Sequence, residues 1–153
     1  MFSLLRKLFS REPPLRIHDP DFGQIRFNTD LGGYWDMEND WTVPFQSEGV
    51  SCVSIPGDRE GPTQDAREFL LAKKSQPDQI WDLCEPFVRE CMSGWDAFDG
   101  MEPRETFFIS CINKDRDIAN GWEVCFESRA PVKWVYFCLQ IEGEEVVTNT
   151  VST

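Results

Sequence analysis

A single histidine among 153 residues removes most nucleophilic and acid–base chemistry at the outset. A Ser-His-Asp or Cys-His constellation would have only His18 to start from, and no Gly-x-Ser-x-Gly elbow accompanies it. Neither a phosphate-cradling Walker sequence nor a dinucleotide fingerprint occurs. No Cys-x-x-Cys spacing links Cys52, Cys84, Cys91, Cys111, Cys125 and Cys138, so a zinc site would have to gather its ligands from distant segments. Long apolar runs are missing too: nothing approaches the roughly eighteen residues that span a bilayer. The opening MFSLLRKLFSR has its charges inside and after a short apolar run, with no small-residue cleavage site, unlike a secretory leader.

What is present is apolar bulk and negative charge. Hydrophobic residues make up 41% of the chain, with six Trp and twelve Phe, which excludes a disordered chain and predicts one core. Residues 1–16 carry a net charge of +3 and are expected to form a short basic amphipathic segment, with Leu4, Leu5, Leu8 and Phe9 on one side of a helix. Residues 17–153 are expected to form a single domain; they carry the remaining −15 of a total of −12. So acidic a body repels phosphate backbones, which excludes nucleic acid, and suits either solubility alone or a basic protein partner. The cysteines stand mostly between apolar neighbours, as in Phe137-Cys138-Leu139, and are read as buried, reduced thiols suited to a cytoplasmic protein.

Along the chain, Pro13 and Pro14 end the N-terminal segment, and Arg16 to Pro20 reads as a link. Alternation predicts strands over 22–27, 41–45 and 50–55, with turn chemistry at Asp30, Gly32 and Gly33 and a stop at Pro56-Gly57-Asp58. Thr63 is placed to cap a helix carrying Ala66, Phe69 and Leu70. Pro77 opens a second helix, on which Ile80, Trp81, Cys84, Phe87, Val88 and Cys91 form one stripe continuing in phase across Pro86. Strands follow over 106–112, 122–126, 133–139 and 146–151, the third apolar enough to be covered on both faces. The expected fold is α+β: an antiparallel β-meander, two central helices, then a C-terminal set of antiparallel strands, with the helices packed on the sheet.

The stretch GYWDMENDW, residues 33–41, carries the densest alternation of acids and aromatics. As a calcium loop it fails, because Trp41 replaces the required Gly and Ser47 the bidentate Glu. As a hairpin end it packs Tyr34, Trp35 and Trp41 on the sheet and turns its acids to water. The sharper expectation is a binding rim of Asp36, Glu38 and Asp40 for a basic protein, with Trp35 as an anchor. No cofactor or metal is expected. Alternatives from other classes are a hydrolase with a carboxylate site between sheet and helices, and a membrane adaptor held by residues 2–9.

The run His18-Asp19-Pro20-Asp21-Phe22-Gly23-Gln24-Ile25, with Trp35, Val43-Pro44-Phe45 and the helix entry Gly61-Pro62-Thr63-Gln64, resembles small bacterial domains of unknown function over residues 17–92. Relatives of those domains occur among immunity proteins of polymorphic toxin systems. The resemblance supplies no catalytic residues, and implies a non-enzymatic role in binding, and so neutralising, a basic toxin domain.

Overall fold

Apolar residues at alternate positions of the strands over 121–128 and 136–142 face one way, and two amphipathic helices cover them. The computed structural model describes residues 14–29, 32–38, 52–129 and 133–152. Within these residues the strands are β1 (Arg16–Asp19), β2 (Gly23–Asn28), β3 (Tyr34–Met37), β4 (Cys52–Asp58), β5 (Gly61–Pro62), β6 (Phe107–Lys114), β7 (Gly121–Ser128), β8 (Tyr136–Glu142) and β9 (Glu145–Ser152). They form one mixed sheet in the order β1-β2-β3-β4-β6-β7-β8-β9, with β5 paired to β4. The helices are α1 (Gln64–Lys74), α2 (Pro77–Ser93) and a single turn α3 (Pro103–Thr106).

The α+β class and the strand meander stand as expected, with one difference in topology. β4 and β6 run parallel, pairing Cys52 with Cys111 and Ser54 with Asn113. The reason is connectivity: helices between two strands carry the chain back to the starting edge, so the second strand leaves in the direction of the first. Further differences are local. Arg16–Asp19 is a strand rather than a link, so Arg16 belongs to the folded domain and not to the N-terminal segment. The 52–58 strand runs through Pro56 and Gly57 instead of stopping there. Tyr34–Met37 is a full strand between β2 and β4. The strands expected over 41–45 and the helix over residues 2–9 lie outside the described residues.

Local chemistry accounts for the helices. Thr63 sits extended at the N-cap of α1, Asp65 occupies its first turn, and Lys73 and Lys74 its last, as the helix dipole favours. Pro77 opens α2, where its missing N–H costs nothing, and one helix continues through Pro86. Ile80, Trp81, Cys84, Val88 and Met92 of α2 and Ala66 and Leu70 of α1 are buried. Trp81 packs edge-on against Phe126 at 4.9 Å, Phe69 edge-on against Trp122 at 6.0 Å, and Phe126 stacks on Phe137 at 5.3 Å. Burying each such ring is worth about 2–3 kcal/mol.

At the other end of the sheet, Trp35 is fully buried and its indole Nε1 donates to the Asp58 carbonyl at 2.9 Å. Gly57 leaves the space for that ring, since a Cβ there would stand 2.7 Å from Trp35 Cδ1. Asp19 ends β1 with 3% of its surface exposed, chelated by Arg67 of α1, and its Oδ1 accepts from the backbone N–H groups of Asp21 and Phe22. Burial works to raise its pKa, but the Arg67 hydrogen bond and the two backbone donors outweigh it and hold the carboxyl below the usual aspartate value.

A folded-state pKa below the unfolded one means that this pair stabilises fully above the ordinary aspartate range, and that the gain is lost as pH falls through the folded value. Resistance of the wild type to urea should therefore fall on going from pH 7 to pH 3, and Asp19→Asn should flatten that dependence. Asp19→Ala should cost about 2 kcal/mol at pH 7, because the backbone N–H groups of Asp21 and Phe22 lose their acceptor and Arg67 keeps only the more exposed Asp21.

Candidate functional site

The face of the sheet opposite the helices is set by the same two-residue repeat that fills the core. Inward Trp122, Val124 and Phe126 leave Glu123, Cys125 and Glu127 outward on β7, and inward Phe137, Leu139 and Ile141 leave Tyr136, Cys138 and Gln140 outward on β8. Register then lines these up in two rows across the strands. One row is polar: Asp36, Ser54, Asn113, Glu123 and Gln140, on β3, β4, β6, β7 and β8. The other is a row of thiols: Cys52, Cys111, Cys125 and Cys138, on β4, β6, β7 and β8.

A β-bulge makes the thiol row continuous. Ile109 pairs with Phe126, yet Cys111 pairs with Cys125, so β6 carries one extra residue between them. Without it Ser110 would stand opposite Cys125 and Cys111 would point into the core. Ser110 is buried in the bulge, with its hydroxyl donating to the Cys125 carbonyl at 3.2 Å.

The polar row is held by neutral donors. Glu123 accepts from Asn113 Nδ2 at 2.7 Å and from Gln140 Nε2 at 2.6 Å. Asp36 accepts from the Ser54 hydroxyl and from Asn28 Nδ2 at 3.1 Å. These hydrogen bonds fix both carboxylates in place while leaving their charges uncompensated by their donors. Beside them opens a cleft of about 270 Å³ lined by Tyr34, Ser54, Asn113, Asp115, Glu123 and Gln140, with part of Lys114. The Lys114 side chain turns to the helix side, over the Phe69 ring, where its ammonium donates to the carbonyls of Asp115, Ile118 and Gly121 at 2.8, 3.1 and 2.9 Å, and burial lowers its pKa. The loop it ties down presents the Arg116 N–H to the Tyr34 hydroxyl oxygen at 3.0 Å. Arg116 also donates through its guanidinium to the carbonyls of Gly33 and Gly57, fastening that loop to β3 and β4.

The residues singled out from sequence separate. Trp35 is a core side chain, which corrects its expected role as an exposed anchor: its place on the inward phase of β3 leaves no ring surface for a partner. Asp36 joins the polar row. Glu38 is pinned at the sheet edge by Arg16, at 2.8 Å, so its charge is met inside the chain. Asp40 lies outside the described residues. Glu123, Asn113, Ser54 and Gln140 were not anticipated. Their outward phase is readable strand by strand, but their meeting depends on pairings between distant segments. The carboxylate that faces the helix layer, Asp19, is bound by Arg67.

The thiols also differ from expectation. Cys125 and Cys138 are joined in a disulfide, and Cys52, Cys91 and Cys138 are half-exposed rather than buried. Direct opposition across two antiparallel strands explains the bond. A carboxylate oxygen of Glu123 and the sulfurs of Cys125 and Cys138 lie within 4.8 Å of one another. As thiolates they would make a three-ligand set for a soft cation, but sulfurs already bonded to each other offer no thiolate. A hydrogen bond from Cys111 holds the Cys52 thiol below its ordinary pKa and raises that of Cys111, whereas burial pushes the Cys84 thiol of α2 up to about 12.

No protein family, curated protein or solved structure matches this chain. No described helix is long and apolar enough to cross a membrane.

Thiol reactivity should follow these environments. With iodoacetamide at pH 7.5 under native conditions, Cys52 should be modified first. Cys84 should react on the order of a hundredfold more slowly than an unperturbed thiol, as peptide mass mapping over time would report.

Proposed function

We propose that this chain is a non-catalytic recognition domain that binds a basic segment of another protein, and that the outer polar face of its sheet receives a cationic side chain of that partner. The observation that carries the reading is a pair of carboxylates held rigidly by neutral donors: Glu123, which lines a cleft of about 270 Å³, and Asp36, which is bound by the Ser54 hydroxyl at the wall of that cleft. Where acids elsewhere meet arginines within the chain, as Asp19 meets Arg67 and Glu85 meets Arg104, these two keep their charge available. Rigid placement matters, because ordering a flexible acid on binding would cost about 1 kcal/mol of side-chain entropy. A lysine or arginine stem fits beside the Tyr34 ring with its charge against Glu123.

The negative field of the whole chain supports the same partner by accelerating encounter with a positive surface. The resemblance to immunity-type domains suggests what such a partner is: a cationic toxin domain that the chain neutralises.

Calorimetric titration with a hexalysine peptide at low salt should give a measurable affinity that weakens as salt is raised to screen the charges. The double variant Asp36→Asn, Glu123→Gln should lose about tenfold or more in affinity, as befits the loss of two directed charges. Changing Glu144 of the β8–β9 turn and Glu145 at the start of β9 to Gln should have little effect. Equal affinity in the wild type and the double variant would overturn the assignment of this face.

A further inference from the structure

We propose that the four-cysteine row is a disulfide relay, in which one oxidising equivalent moves across the sheet between Cys138 at one end and Cys52 at the other, where it is exchanged with an external thiol.

Three observations converge on this step. The row places a disulfide, Cys125–Cys138, next to a hydrogen-bonded thiol pair, Cys52 and Cys111, with no other residue type intervening along the line of register. Strand neighbours stand about 4.8 Å apart, so successive sulfurs lie within reach after a rotamer change rather than a backbone change. The register line also sets Cys111, Cys125 and Cys138 on successive strands, in the order of attacking, attacked and leaving sulfur. Thiol–disulfide exchange proceeds through this arrangement. The bulge at Ser110 is the local irregularity that brings Cys111 onto this line.

The chemistry balances without an added oxidant. Cys111 passes its proton to the hydrogen-bonded Cys52 sulfur and attacks Cys125, forming the Cys111–Cys125 bond, breaking Cys125–Cys138 and releasing Cys138 as a thiolate, which takes up a proton as Cys52 gives one up. The Cys52 thiolate then attacks Cys111, forming Cys52–Cys111 and releasing Cys125, which is protonated in turn. The two protons gained by Cys125 and Cys138 equal the two lost by Cys52 and Cys111. Cys111 and Cys125 are buried in the middle of the row, and Cys52 and Cys138 are half-exposed at its ends. An external thiolate therefore meets the relay at an end: attack on Cys52 gives a mixed disulfide there and frees Cys111 as a thiolate. A second external thiol then displaces Cys52 and leaves the row reduced.

The test starts from fully reduced protein treated with one equivalent of diamide at pH 8. Samples are quenched with acid and alkylating agent over time, and the disulfides mapped by non-reducing peptide mass spectrometry. The relay predicts that Cys125–Cys138, Cys111–Cys125 and Cys52–Cys111 are all recovered, in proportions that drift toward fixed values at a rate independent of protein concentration. In Cys111→Ala the bond should stay at Cys125–Cys138 with Cys52 alkylated, and in Cys138→Ala it should occupy the two remaining neighbour pairs. Recovery of Cys125–Cys138 alone at every time in the wild type would overturn the proposal. So would pairings that skip a neighbour or draw in Cys84 or Cys91, or an exchange rate that rises with concentration. The wild-type time course decides the matter even where a variant fails to fold.

Discussion

Burial of Trp122, Val124 and Phe126 against the two long helices is the constraint on which the rest of the molecule hangs. Three inward positions on one strand determine the phase of that strand, and pairing passes the phase to β6 and β8 on either side. The outer face then has no freedom of its own. Glu123 and Cys125 point outward because their neighbours cannot, so the polar row and the thiol row are products of core packing. A one-residue slip of β7 would expose the aromatic core and scatter both rows together. Such coupling gives the outer sheet face the rigidity of a core without covering it.

Charge in this protein is sorted by what meets it. On the helical side, Arg104 gathers Asp78, Asp82 and Glu85, and Arg89 joins Glu85 and Glu102. These pairs are largely exposed and add little to stability, but they neutralise part of that surface. On the outer sheet face the donors are amides and hydroxyls, which orient a carboxylate without cancelling it. The net charge of −12 is thus not a uniform coat: on the outer sheet face Glu38 is paired with Arg16, whereas Asp36 and Glu123 are oriented by neutral donors.

Much of the fold was legible because its strongest signals are local. Thr63 and Pro77 announce helix starts, the apolar stripe of α2 keeps its phase across Pro86, and strict alternation marks β7. β1 was not legible: four residues with two charges carry no strand signature, and only pairing with β2 makes them one. β3 was misread as a turn flank because its acids drew the eye from the alternation that buries Trp35. The candidate site was half legible. Asp36 stood out by composition, whereas Glu123 looks like any of 27 acidic residues until register sets it between Asn113 and Gln140. The cysteine row was hidden for the same reason, and once more because a single bulged residue in β6 reverses the phase that simple alternation assigns to Cys111.

The parallel seam between β4 and β6 has a consequence for how the molecule comes apart. Contacts across it, such as Arg116 to Gly57, join residues 59 apart in the chain, whereas β6 to β9 are linked by short connections. Closing the longer loop costs about 2 kcal/mol more chain entropy than closing a hairpin. The seam itself is short, with three paired positions. A long loop closed by so few positions opens at lower cost than the hairpins of the C-terminal meander, whose strands pair over seven positions each. Cys52 and Cys111 sit on opposite lips of the seam, so a bond between them would turn the first place to open into a staple.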